Sequence, residues 1–297
     1  MAEIRKFFGL SYLLTWVLLA PWFYLFNVVF QGSAPWWLWL WVPLAVIGGW
    51  GPTVAALTLT ARAEDRDAVR RLLRSLVNWR VPLRWYLFAL FLPPTATAVS
   101  ILLVDPNPTS WQRFAFGDVV RQLPVAYALA LPFGPMGEEL GWRGYALPRL
   151  LDRIGPIRAA LVIGVMWTFW HGPMMLFMPG ASIPAFMGLT PFSVAVYLGQ
   201  ITAWSAIITL IYVRTGGNIL LAVLAHLAFN TAASVVFAGL PTFTPDRVRQ
   251  IYLMNVAVLG IVGLGCMFWL GRSGTRGTGP NNGLQRTALR AAAEAER

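Results

Sequence analysis

The sequence predicts an all-α fold, a polytopic bundle of about eight membrane-spanning helices, and three observations carry that reading. The first is composition: of 297 residues, 57% are hydrophobic and only 12% charged, with a mean hydropathy of +0.61. An ordinary soluble domain carries about 25% charged residues. A water-soluble fold of this size cannot hide so much apolar side chain, so a soluble enzyme and a disordered chain are excluded. A disulfide scaffold is excluded too, because Cys266 is the only cysteine. The second observation is that the charges fall between long apolar windows. The third is that the basic residues segregate to alternate connections between those windows.

The windows define the spans, since a helix needs about 20 apolar residues to cross the hydrocarbon core. Residues 7–61 are free of charge, and Gln31-Gly32-Ser33-Ala34-Pro35 divides them into spans near 7–30 and 36–61. The first is too long for a signal-peptide core and reads as a retained span. Residues 85–104 make a third, and a fourth starts near Gln122 and runs into Gly137-Glu138-Glu139. Residues 159–213 again lack formal charge and hold a fifth and a sixth span, with a Pro/Gly-rich break around 179–191. A seventh follows Gly216-Gly217, and an eighth covers about 250–270. Gly51-Pro52 and Pro93-Pro94 read as kinks. The domain organisation is then one transmembrane domain over 1–270 and a cytoplasmic tail over 271–297. That tail is rich in Gly, Thr, Asn, Arg and Ala and too poor in large apolar residues to fold.

The positive-inside rule orients the bundle. Eight spans place Arg5, Lys6, the arginines of 62–84 and of 143–158, Arg214 and the tail on one side. The other side receives Arg113, Arg121, Arg247 and Arg249, offset by Asp105, Asp118 and Asp246. Both termini are therefore expected in the cytoplasm. The same distribution argues against nucleic acid as a partner, despite a net charge of +11. The bilayer is the partner instead. The ratio of 22 Arg to 1 Lys points to a GC-rich bacterial genome, hence a bacterial cytoplasmic (inner) membrane. Residues 64–77 read equally well as an amphipathic surface helix or as a plain charged loop.

Polar residues inside apolar helices are costly and are functional candidates by default. Glu138, Glu139, His171 and His226 stand out, with Arg143 and Asn230 beside them. Residues four apart share a helix face, so Glu139 stacks on Arg143 as an ion pair, while Glu138, about 100° further round, faces elsewhere and stays available. His226 and Asn230 present an imidazole and an amide on one face. Trp167 sits one turn before His171, where its ring would wall and orient that imidazole. Both histidines of the chain fall within apolar helices. One chemistry for this set makes Glu138 a general base assisted by one histidine, with the other histidine and Asn230 donating to an oxyanion. The other makes Glu138, His171 and His226 the ligands of a divalent metal such as zinc. The residues alone leave both open.

Three motifs carry a resemblance: Glu138-Glu139-Leu140-Gly141-Trp142-Arg143, Trp167-Thr168-Phe169-Trp170-His171, and His226-Leu227-Ala228-Phe229-Asn230. Their order on separate helices resembles, over a core of about residues 120–238, the CAAX-protease and bacteriocin-processing (Abi, CPBP) family of intramembrane proteases, whose motifs are Glu-Glu-x-x-x-Arg, Phe-x-x-x-His and His-x-x-x-Asn (or a small residue). The resemblance implies an eight-helix fold and an intramembrane endopeptidase acting on a membrane-associated peptide or protein terminus, a lipidated one included. It implies that Glu138 activates water with His171, that Glu139 pairs with Arg143, and that His226 and Asn230 stabilise the oxyanion. The family is named among metalloproteases, and glutamate-dependent hydrolysis without a tightly held metal is also argued for it. Trp167 stands where the family has Phe, a change expected to alter packing rather than chemistry. The competing readings are a non-catalytic immunity or scaffold protein of the same fold and a proton-coupled transporter. Counted at about 1.5 Å per residue, His226 and Glu138 lie roughly 12 and 15 Å from the cytoplasmic ends of their helices. His171 lies roughly 22 Å in by the same count, a mismatch that convergence of the three groups must overcome.

Overall fold

The computed structural model describes residues 1–63, 66–106, 115–132, 134–179, 182–238 and 243–273. Arg113 and all of the expected tail beyond Ser273 lie outside the described residues. Helices account for the described regular structure, and no strand occurs among the described residues.

Helix α1 (Ala2–Phe23) closes in a π-helical turn, Tyr24–Val29. The chain then reverses at Gln31 and Gly32, which take positive φ of 47° and 83°, inside the expected break. A short α2 (Trp36–Trp39) leads into α3 (Val42–Gly49) and α4 (Gly51–Ala63). The last two meet at a bend of 62°, where Gly51-Pro52 removes a backbone donor. The cationic segment does form a helix, α5 (Arg66–Arg74), with Ala68 buried and Arg70, Arg71 and Arg74 exposed. Helix α6 (Leu83–Val104) continues as one helix through Pro93 and Pro94.

Helix α7 (Phe116–Ala130) ends before the Glu-Glu pair. This corrects the expectation of one helix running from Gln122 into that pair. The chain breaks at Gly134, and Pro135 opens a new helix, α8 (Pro135–Gly141), at the first-turn position proline favours. A π-helical turn, Trp142–Ala146, joins it to α9 (Leu147–Trp170). Inside α9, Gly155 takes φ 75° and ψ 171°, a conformation costly for any residue with a Cβ. Pro156 follows immediately. The segment from α8 through α10 (Gly172–Phe177) thus contains a sharp reversal rather than one 43-residue rod. Beyond it come α11 (Ile183–Met187), α12 (Pro191–Arg214), α13 (Ile219–Ala238) and α14 (Pro245–Ser273), the last running past the domain boundary expected at 270.

Five described helical segments are long and apolar enough to cross a membrane, or six with α3–α4 counted as one bent span. The count of eight adds α7, of 15 residues, and α13, whose apolar stretch is Ile219–Ala232. Packing is extensive between α9 and α12, α12 and α14, and α6 and α13, with α1 laid across α3 and α4. The short helix α8 nests between α4 and α13. Two glycines spaced four apart make this possible: a Cβ on Gly137 would lie 2.8 Å from the Trp50 ring, and one on Gly141 would lie 2.5 Å from the backbone of Pro52. Small residues at that spacing let helix backbones approach closely in apolar surroundings.

Candidate active site

Because α8 docks so closely, its two carboxylates enter the bundle at different places. Glu139 is fully buried and its Oε1 accepts from Arg143 Nη1 at 2.8 Å, the ion pair that the i,i+4 spacing predicts. Trp142, Arg143, Tyr145 and Ala146 are also buried, so the π-helical turn directs four of its five residues inward. Glu138 is 3% exposed and borders a cavity of about 680 Å³.

The reversal at Gly155 brings the second motif back onto the first. A straight helix would place residues 138 and 167 about 43 Å apart. Instead, the Trp167 indole N–H donates to Glu138 Oε2 at 2.6 Å. The Trp142 indole donates to the same oxygen over a longer 3.4 Å. The His171 ring nitrogen Nδ1 lies 2.8 Å from the carbonyl of Trp167. A carbonyl only accepts, so Nδ1 carries the proton and Nε2 presents a lone pair. Tyr197 of α12 packs edge-on against that imidazole at 5.9 Å.

The third motif arrives from α13. His226 is 2% exposed, and its Nδ1 lies 2.8 Å from Glu139 Oε1, the oxygen that also takes Arg143. Its ring meets the Trp167 ring edge-on at 4.8 Å. Asn230, one turn on, is exposed to the cavity. Glu138, Trp167, His171, His226 and Asn230 all line this one cavity, together with aromatic and aliphatic groups from α1, α3, α6, α12 and α14. The depth mismatch for His171 is therefore removed by the fold: the three motifs form one cluster.

The comparisons with known proteins point the same way. Residues 120–232 match the family model described as Type II CAAX prenyl endopeptidase Rce1-like. A relative, CAAX prenyl protease 2 of Methanococcus maripaludis, is 26% identical over 184 residues, covering 60% of this chain and 67% of that protein. Over that stretch, which holds all three motifs, the chain is similar to the CAAX-protease family of intramembrane proteases. That similarity supports a membrane-embedded endopeptidase, and neither the immunity or scaffold reading nor the transporter is favoured. All seven candidate residues of this chain fall inside the matched stretch.

The Trp167 ring does lie beside His171, at 6.0 Å between centroids, and it does more: its N–H engages Glu138 and its backbone carbonyl holds the imidazole, so the departure from Phe adds a hydrogen-bond donor. His226 is oriented by Glu139, a contact between motifs 87 residues apart that spacing could not reveal. Trp142 was overlooked as a partner of Glu138, although the same four-residue rule that paired Glu139 with Arg143 reaches it. Tyr197 carries no signal in the sequence.

Among the described residues, no three His, Cys, Asp or Glu side chains come together as a metal-binding group, so Glu138, His171 and His226 do not form a ligand set as they are placed.

Proposed function

We propose that this endopeptidase hydrolyses its peptide bond with Glu138 as general base, His171 as the second acceptor that orients the water, and His226 and Asn230 as oxyanion donors. Water sits between Glu138 Oε1 and His171 Nε2. Glu138 takes one proton as the water oxygen bonds to the scissile carbonyl carbon. The negative charge that develops on the carbonyl oxygen meets Asn230 Nδ2–H and His226 Nε2–H. For Nε2 to donate while Nδ1–H remains on Glu139, His226 carries both ring protons, and Glu139 is its counter-ion. Collapse breaks the C–N bond, and the proton on Glu138 passes to the leaving amine. One observation carries this reading: base, orienting imidazole and two donors open onto a single cavity, with the remaining polar atoms of Glu138 and both imidazoles held by named partners.

The substrate class follows from the relative. That protein is named a CAAX prenyl protease, and the cavity here is walled largely by apolar and aromatic side chains such as Phe23, Trp22, Trp204 and Phe229. A lipidated carboxyl-terminal peptide is the ligand of matching chemistry. The charge asymmetry supports a site served from the cytoplasm of a bacterial inner membrane, within one transmembrane domain. The test uses purified full-length chain in proteoliposomes with a fluorogenic prenylated carboxyl-terminal peptide. Glu138→Ala, His171→Ala and His226→Ala each abolish cleavage while the protein still inserts and folds. Cleavage at the normal rate by Glu138→Ala overturns the assignment.

A further inference from the structure

We propose that Trp167 is a positioning residue whose indole N–H selects which oxygen of Glu138 faces the water, a role the phenylalanine of the family pattern cannot perform. The inference rests on the reading of Glu138 as the base.

The terminal torsion of a glutamate is broad and nearly two-fold, so a carboxylate without fixed donors offers either oxygen to either side. Here the symmetry is broken. Oε2 takes the N–H of Trp167 at 2.6 Å and, more weakly, that of Trp142 at 3.4 Å. Oε1 lies on the side of Gly134 and Asn230: a Cβ built on Gly134 would stand 3.6 Å from Oε1 and 3.1 Å from Asn230 Nδ2. The proton acceptor is thereby turned toward the amide donor.

The indole is itself fixed from each direction. Trp167 is fully buried. The Arg143 guanidinium lies over its ring at 4.6 Å. Arg143 Nε and Nη2 are buried with no hydrogen-bond partner among the described residues. The ring face is thus what the rest of that cation meets. A cation over the π face is held by the ring quadrupole, and by drawing on the ring's electrons it makes the N–H a stronger donor. The His226 ring closes one edge at 4.8 Å, and the backbone carbonyl of Trp167 fixes His171. One side chain and its own carbonyl therefore contact all three motifs. Phenylalanine would keep the ring and lose the N–H.

The test has two readouts on full-length protein in nanodiscs. With 15N-labelled tryptophan, the Trp167 indole resonance is assigned by its loss in Trp167→Phe. In Glu138→Gln it moves upfield, because a neutral amide oxygen is a weaker acceptor than a carboxylate. In the peptide-cleavage assay, Trp167→Phe lowers kcat on the order of tenfold with KM unchanged, as expected when a reacting group is misplaced but substrate contacts remain. If Trp167→Phe does not fold, the Trp142 indole, the weaker donor to that oxygen, is assigned by its loss in Trp142→Phe, and a second resonance must move between the wild-type and Glu138→Gln spectra. An indole spectrum that does not respond to Glu138→Gln overturns the proposal, as does Trp167→Phe turning over at the wild-type kcat. Full activity in Glu138→Gln would instead sink the base assignment, while the indole shift would still report the hydrogen bond.

Discussion

Glu139 receives His226 through Nδ1 at 2.8 Å on the same carboxylate oxygen that takes Arg143 at 2.8 Å, with all three side chains at most 2% exposed. The carboxylate therefore has two tasks. It neutralises a buried guanidinium, and it holds the Nδ1–H and the direction of an imidazole on another helix.

These tasks are separable by mutation. Glu139→Gln leaves the Arg143 charge buried without a counter-ion, and breaking a buried pair from one side costs about 3–5 kcal/mol. Its thermal transition falls sharply and cleavage is lost. In Glu139→Gln with Arg143→Met both charges are gone, so most of the stability returns. Cleavage does not return, because His226 still lacks its carboxylate. Calorimetry in detergent beside the peptide assay checks this, and recovery of both properties together in the double variant contradicts it.

Gly134 leaves room where the base and the amide face each other. A methyl added there would stand 3.1 Å from Asn230 Nδ2 and 3.6 Å from Glu138 Oε1, in the place the proposed mechanism gives to water and the carbonyl oxygen. Gly134→Ala costs about 1 kcal/mol of stability, the usual scale of a single substitution. It loses about 10²-fold in kcat, the scale of removing an oxyanion donor. Single-turnover kinetics on the variant is the measurement.

Much of this site was legible in the sequence, and the boundary of legibility is physical. The Glu139–Arg143 pair follows from helix geometry within one turn, and the functional weight of His171 and His226 from the cost of polar groups in lipid. The break at Gly134 was missed because Gly134-Pro135 lies inside a charge-free run that hydropathy reads as continuous. The reversal at Gly155-Pro156 sits where a connection between spans was expected, and it is what brings Trp167 to Glu138. The contacts between motifs, Trp167 with Glu138 and Glu139 with His226, arise only when α8, α9 and α13 pack, and no local periodicity encodes them. The count of spans is least legible, because α7 is short and α8 is not a span.

The docking of α8 on α4 is the support beneath the site, and it leaves no room for a side chain. A Cβ on Gly141 would lie 2.5 Å from Pro52 backbone and ring atoms, closer than real contacts allow. Gly141→Ala must therefore push α8 outward, at an overpacking cost of about 1–3 kcal/mol. Because Glu138 and Glu139 ride on α8, cleavage falls with stability. Pro52→Ala does not rescue it, since backbone atoms of residue 52 are among those that clash. A Gly141→Ala protein with unchanged thermal transition would show that the two helices are not in backbone contact.

Thr15 ties α1 to the helix that ends at His171. Its hydroxyl donates to the carbonyl of Gly48 at 2.6 Å and accepts the Trp170 indole N–H at 2.8 Å, and Trp170 in turn packs edge-on against His171 at 4.9 Å. Thr15→Val keeps the shape but leaves a buried indole donor and a carbonyl without the hydroxyl, at about 1–3 kcal/mol for an unsatisfied group. Thr15→Ser retains both bonds and stays within about 1 kcal/mol of wild type. The ring supporting His171 then gains freedom in the valine variant alone, so kcat falls in Thr15→Val and is held in Thr15→Ser. Thermal scans and peptide cleavage on the pair check this, and equal behaviour of the two variants would mean that the hydroxyl, as opposed to the shape of the side chain, contributes nothing to the site.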